Sequence, residues 1–359
     1  MLHALIMAGG GGTRFWPRSR QKRPKQFLAL TGERTLIQLA LDRIEAQVPP
    51  EQTWVITAGM HRDEVLCQLP TLPPDRVVGE PCGRDTAACV GLGAALMLRQ
   101  DPAAVMLVMP ADHVIEPVQA FRQAVHVAAQ LAAEHAGALI TFGVVPTYPA
   151  TGYGYVHRGP EAAQRQGVRA FRVRAFREKP GPDLAERFVA SGEYFWNAGI
   201  FVWRAAAILD QLRQRQPGLH DAVQRIADAW PTPAREEVLR REYEALPRIS
   251  IDYAVMEHAP EVLVVQAPFR WDDVGSWRAL ERMHPQDAEG NTVRATHCGL
   301  KTKDCVIVAE AGRLVATVGV DNLLIVQDGD AILVADRREE GAIKQLVDAL
   351  KQKGLEKYL

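Results

Sequence analysis

No apolar stretch in this 359-residue chain approaches the roughly 18–20 residues of a membrane-spanning helix, so a spanning protein is not expected. The opening residues Met1–Ala8 (MLHALIMA) are apolar but few. They carry no basic lead-in and run straight into glycines, so a buried strand is expected rather than a secretory leader. Charge of one sign is not in excess either: the formal net charge is -1, which leaves no global field to draw nucleic acid or an anionic membrane. The five cysteines, Cys67, Cys82, Cys89, Cys298 and Cys305, contain no Cys-x-x-Cys pair. Odd in number and scattered, they exclude a zinc ribbon or disulfide frame and read as reduced thiols of a cytoplasmic protein. Two phosphate-binding signatures are also missing. GxxxxGK[ST] does not occur, and no regular helix follows the one glycine cluster, as a dinucleotide fingerprint requires.

What is present is ordinary globular material, 47% hydrophobic and 24% charged, long enough for one large domain and a smaller one. Runs at 3–8, 53–58, 104–109 and 138–144 read as strands; 53–58 and 104–109 show no alternation and suit a parallel sheet covered on both faces. Thr35–Ile44 places Leu36, Leu39, Ala40 and Ile44 on one helical face, and 118–135 does the same with Phe121, Val125, Ala128 and Ala132. Alternating strand and helix predicts a doubly wound α/β sheet. After about residue 285 the pattern changes. Short runs at 306–308, 314–318, 323–326 and 331–334 recur between Gly and Asp, predicting β-structure with turns and suggesting a small β-helix, closed by a helix over 339–353. The proline-marked stretch His284-Pro285-Gln286-Asp287 sets an expected boundary, 1–284 against 285–359.

Six segments carry candidate chemistry. In AGGGGTRFWPRSRQKRPKQF (8–27), glycines that let backbone N–H groups approach a phosphate precede Arg14 and Lys25. A tight turn explains the glycines alone; Arg14, Pro17, Arg18, Pro24 and Lys25 together suit a triphosphate. Asp112, in Pro110-Ala111-Asp112-His113 after the run 104–109, stands where α/β sheets bind ligands, and its carboxylate suits Mg²⁺ or a helix N-cap. Trp271-Asp272-Asp273-Val274-Gly275 offers a second carboxylate, or a turn. Arg177-Glu178-Lys179-Pro180 reads as a sugar-phosphate contact or a solvated charge run. Asn197, polar within Tyr194–Phe201, is a satisfied buried amide or a partner for a sugar hydroxyl. Glu80, in Glu80-Pro81-Cys82-Gly83-Arg84, could accept from N1–H and N2–H₂ of guanine, or merely precede a capped helix.

In order and spelling these segments resemble the sugar-phosphate nucleotidyltransferase family, in its branch that joins GTP to mannose 1-phosphate. The carrying stretches are AGGGGTRFWPRSR…RPKQF, EPCGRDTAA, MPADH, TGYGY (151–155), REKP, YFWNAGIF, SIDYAVME (250–257) and WDDVGSW, spread over residues 2–277. The resemblance implies a Rossmann-like mixed α/β domain with a β-helical C-terminal piece. It implies Mg²⁺-assisted transfer of GMP from GTP to mannose 1-phosphate, giving GDP-mannose and pyrophosphate; manno-heptose or glucose 1-phosphate are sister substrates. By position it assigns Gly9, Gly10, Gly12, Thr13, Arg14 and Lys25 to the nucleotide phosphates, Glu80 and Gly83 to the base, and Asp112 and Asp273 to the metal. Gly154, Glu178, Lys179, Asn197 and Gly199 fall to the sugar phosphate, with Lys179 also among the catalytic cations. Arg177, Asp85 and Ala111 depart from the family's usual apolar residue, Asn and Ser. Intact cations and carboxylates speak against an inactive regulatory subunit. A homodimer and transferase activity alone, without the isomerase domain of bifunctional members, are also expected.

Overall fold

The computed structural model describes residues 1–359. Eleven strands precede residue 273: β1 (Leu2–Ala8), β2 (Thr53–Ala58), β3 (Val77–Glu80), β4 (Val105–Pro110), β5 (Val114–Glu116), β6 (Leu139–Val144), β7 (Tyr155–Arg165), β8 (Val168–Arg177), β9 (Tyr194–Arg204), β10 (Val262–Gln266) and β11 (Arg270–Asp272). All but β5 and β11 form one sheet in the order β3-β2-β1-β4-β9-β6-β10-β8-β7. β1, β2, β3 and β4 run parallel, as do β6 and β10, while β9 is antiparallel to β4 and β6. The sheet is therefore mixed. Parallel strands suit their sequence: Leu5, Ile6, Val55, Ile56, Leu107 and Val108 are all buried, because a sheet covered on both faces cannot alternate apolar with polar. The helix Leu36–Ile44 and the helix Val118–Glu134, with Phe121, Val125, Ala128 and Ala132 buried, match their apolar periodicity.

The chain folds as two compact units that interleave along the sequence. One is Met1–Gly9, Ala40–Ala111 and Ile115–Trp271; the other is Gly10–Leu39, Asp112–Val114 and Asp272–Leu359. In the second unit β12 (Thr292–Arg294), β13 (Thr296–Leu300), β14 (Val306–Val308), β15 (Leu314–Val318) and β16 (Leu323–Asp328) coil into a β-helix-like stack. Its parallel pairings join Val306 to Leu324 and Thr296 to Leu314, eighteen residues on in each case. β17 (Ala331–Asp336) returns antiparallel along β16 and closes the stack. The closing helix begins later than the sequence pattern suggests: Arg337–Ala342, which includes Gly341, is 3₁₀, and α-helix runs over Ile343–Gln352. Glycine is a poor helix former.

The core of this unit joins distant parts of the chain. Phe15, Trp16, Leu28 and Leu30 pack in one buried cluster with Val306, Val308, Leu324, Val326, Ile343 and Val347. The Trp16 indole donates to the Tyr358 carbonyl at 2.9 Å, and the Trp277 indole donates to the Trp16 carbonyl at 3.2 Å. The glycine-rich loop and its basic continuation thus rest on the C-terminal β-structure.

Candidate active site

The glycine cluster follows β1 because the chain must turn through backbone conformations that only glycine adopts readily. Gly10 has φ +88° and Gly12 φ +55°. The Gly12 carbonyl accepts from Phe15 N (2.9 Å) and Ser19 Oγ (2.6 Å), fixing a 3₁₀ turn over Thr13–Phe15. Thr13 and Arg14 are exposed. Lys25 opens a second 3₁₀ turn, Lys25–Phe27, and is 6% exposed. A side-chain carbon at Gly12 would lie 2.4 Å from Lys25 Cβ, so glycine is required there by close approach as well as by φ.

Lys25 gathers the second and third segments. Its Nζ donates to Asp112 Oδ2 at 2.8 Å and to the Asp273 carbonyl oxygen at 2.5 Å. The ring centroid of Phe15 lies 6.0 Å from the same ammonium. Burial opposes ionisation of Asp112, but the charges of Lys25 and His113 outweigh it and hold the carboxyl below its ordinary value. Asp112 does not cap a helix; Pro117 stands at the N-cap before Val118. Asp273 does not cap one either, since Arg278 precedes the helix Ala279–Met283. Its neighbour Asp272 is committed elsewhere, accepting from Val274 N (2.7 Å) and pairing with Arg282 at 2.5 Å. Val274, at φ +49°, reverses the chain after the acids.

A second cluster belongs to the sheet unit. Lys179, at φ +45°, pairs its Nζ with Glu178 Oε1 at 3.0 Å, and its main-chain N–H donates to the Tyr153 carbonyl at 3.2 Å. A side-chain carbon at Gly154 would lie 2.4 Å from Glu178 Oε2. The Asn197 N–H donates to the Gly154 carbonyl (2.8 Å). Asn197 Oδ1 accepts from Thr141 Oγ1 (2.8 Å) and from the N–H of Gly199 (3.3 Å), and its Nδ2 donates to Asp252 Oδ1 (3.1 Å). The two readings of Asn197 thus combine: its oxygen is satisfied internally, and one amide hydrogen remains to offer. Tyr153 lies against Trp196 and Trp271, each with ring centroids 5.2 Å away.

Glu80 ends β3. The Tyr243 hydroxyl donates to its Oε1, and burial pushes the carboxyl up to about 7 despite that bond. A side-chain carbon at Gly83 would meet nothing within 4 Å. The loop that carries it is tied down by Arg84, whose guanidinium donates to the Tyr243 and Glu244 carbonyls.

The structure therefore brings Gly12, Lys25, Asp112 and Asp273 together in one unit, and Gly154, Glu178, Lys179, Asn197 and Gly199 together in the other. Arg14 is exposed and has no ion-pair partner. Sequence reasoning missed Asp252 and Tyr243. Asp252 lies on a π-helical turn, Asp252–Met256, and burial together with the charge of Glu178 pushes its carboxyl up to about 7. An acid among the apolar residues of Ile251–Met256 was the available signal. No group of three or more His, Cys, Asp or Glu side chains is arranged to hold a metal.

The nucleotidyl transferase family model matches residues 3–290, and the mannose-phosphate isomerase/GMP-like β-helix model matches 295–350. Mannose-1-phosphate guanylyltransferase of Escherichia coli K12 is 41% identical over 98% of this chain and 74% of its own length. Mannose-1-phosphate guanylyltransferase ManC of Salmonella typhimurium is 40% identical over the same shares. A solved structure from Thermus thermophilus, described as a mannose-1-phosphate geranyltransferase, superposes with a TM-score of 0.85 and 37% identity. It covers 98% of this chain and 99% of that one.

Proposed function

The chain belongs to the nucleotidyltransferase family, among the mannose-1-phosphate guanylyltransferases, and from that premise we propose that it transfers GMP from GTP to mannose 1-phosphate. The near-full-length likeness to enzymes of that name carries the reading. An oxygen of the sugar phosphate attacks the α-phosphorus of GTP. The new P–O bond forms as the bond to the β-phosphate breaks, and pyrophosphate leaves in line, with GDP-mannose as the other product. A phosphate monoester has a second pKa of about 6, so the nucleophile is already an anion at pH 7 and no general base is required. Two anions must meet, which makes the task one of charge and position.

In this reading Gly9, Gly10, Gly12 and Thr13 present backbone N–H groups to the triphosphate, and Arg14 and Lys25 offset its charge. Lys25 is held rigidly at its root by Gly12, as positioning demands. Glu80 and Gly83 read the guanine; a carboxyl pushed up to about 7 still has Oε2 to offer beyond Tyr243. Lys179 neutralises the sugar phosphate, while Gly154, Glu178, Asn197 and Gly199 shape the sugar pocket. Asp112 and Asp273 suit Mg²⁺. One ammonium already bonds the carboxylate of the first and the main chain of the second, so a cation is accommodated there. Two carboxylates with phosphate oxygens and water make the usual ligand set of that ion. Bound Mg²⁺ would supply charge stabilisation to the triphosphate.

We further propose 1–284 as the catalytic region and 285–359 as a β-rich region, in a cytoplasmic homodimer. No helix is long and apolar enough to cross a membrane. On the paired strands β13 and β15, Leu300, Leu314 and Val318 are each more than 60% exposed, apolar side chains suited to cover by a second copy. A monomeric mass by light scattering would refute the dimer. The function itself is tested by pyrophosphate release from GTP and Mg²⁺ with mannose, glucose and manno-heptose 1-phosphates in parallel. Release with mannose 1-phosphate and formation of GDP-mannose are expected. Release only with another sugar would move the specificity, and none with any would refute the activity.

A further inference from the structure

A groove of about 600 Å³ opens in the unit that carries the glycine loop, and neither Lys25 nor Asp112 lines it. Four guanidinium groups line it: Arg18 and Arg23 from the basic loop, Arg294 from the end of β12, and Arg313 from the turn before β15. Only two carboxylates, Glu310 and Asp328, share the lining. Both are engaged. Asp328 Oδ1 lies 3.5 Å from Arg18 Nε, and Glu310 Oε2 accepts from Gly329 N (3.0 Å) and the Gln327 amide (3.3 Å). Arg18 also donates to the Ala309 carbonyl at 3.3 Å and is part-buried. Arg23, Arg294 and Arg313 are exposed and have no ion-pair partner.

Like charges gathered in a concave site repel one another and raise the local concentration of ions of opposite sign. Two positive charges remain unbalanced across a concave site whose floor is the buried Leu28. Planar guanidinium forks match phosphate oxygens bidentately. We propose that this groove is a second anion site, separate from the glycine loop, which takes a diphosphate group, either free or as part of a nucleotide.

The site has a route to the reaction. Arg18, Arg23 and Leu28 belong to the segment that also holds Gly12 and Lys25, and Trp16 in that segment is anchored to the Tyr358 carbonyl. An anion bridging Arg18 and Arg23 to Arg294 and Arg313 would clamp the loop to the β-stack.

The test uses the full chain with Arg14→Ala and Lys25→Ala, which weakens anion binding at the glycine loop. Inorganic pyrophosphate and GDP are titrated in separate calorimetric arms. Residual binding is expected in at least one arm, and the tighter arm identifies free or nucleotide-borne diphosphate. Adding Arg294→Glu and Arg313→Glu should weaken it at least about tenfold, since two charge-assisted contacts become repulsive. Arg313→Ala, a milder change at an exposed side chain, should weaken it in the same direction and guards against misfolding of the double variant. No residual binding in either arm, or affinity unchanged by the groove substitutions, would overturn the proposal.

Discussion

Gly12→Ala should cripple turnover although alanine adds one carbon. That carbon would stand 2.4 Å from Lys25 Cβ and 2.9 Å from Lys25 N. Carbon atoms rest at about 3.5–4.0 Å, so the Lys25 turn must retreat by roughly 1 Å or more. Gly12 cannot move instead, because its carbonyl is held by Phe15 N and Ser19 Oγ. Its φ of +55° adds about 1–2 kcal/mol of strain for any side chain. A retreat of that size breaks the 2.8 Å contact between Lys25 Nζ and Asp112. Misplacing a catalytic group by about 1 Å can cost about 10²-fold in rate, which is the expected fall in kcat. The assay is steady-state pyrophosphate release at saturating GTP and mannose 1-phosphate, with a thermal melt to show that the variant is folded. Gly11→Ala is the control: its side-chain carbon would meet only Thr13 Cγ2, at 3.8 Å, and near wild-type kcat is expected. Wild-type turnover in Gly12→Ala, or an equal loss in Gly11→Ala, would refute the steric argument.

Lys25→Ala or Asp112→Ala should lower kcat by roughly 10²–10³, typical of losing one preorganised charge partner; near wild-type kcat would remove that residue from the mechanism. EDTA should abolish turnover and added Mg²⁺ restore it, whereas full activity in chelator would sink the carboxylate-pair assignment. Asp252, pushed up to about 7 in the folded state, titrates near 4 when unfolded. The folded chain therefore holds a proton that the unfolded chain releases between those values, and this group's contribution to stability falls as pH rises from about 4 to about 7. Asp252→Asn should shrink that fall in urea midpoints, and an unchanged pH profile would contradict it. Trp16→Phe removes the bond to the Tyr358 carbonyl and should destabilise by about 1 kcal/mol, read from denaturant unfolding; no change would mean that the tail does not brace the loop.

Much of this was legible in the residues. Unbroken apolar runs gave β2 and β4 because a strand covered on both faces has no reason to alternate. The periodicity of 118–135 gave its helix and its buried face. The β-helix-like stack was visible as short runs at 306–308 and 314–318, whose limits match β14 and β15. The motif segments named Lys25, Asp112, Glu178 and Asn197 through the chemistry that their side chains permit and the family they resemble.

The sequence by itself determined the elements, the family and the inventory of charged groups, because those depend on local periodicity and residue chemistry. Tertiary structure decided who meets whom. That the ammonium of Lys25 bonds Asp112 and Asp273, distant in sequence, follows from strand order and turn geometry, which no local pattern encodes. So does the burial of Trp16 against Ile343 and Val347, which makes the glycine loop part of the β-structured unit and not a simple extension of the sheet. Asp252 gained its raised pKa only when folding desolvated it, against Asn197 and near the charge of Glu178. Long-range burial, desolvation and close approach are properties of the packed chain, and they turned a list of candidates into two defined clusters.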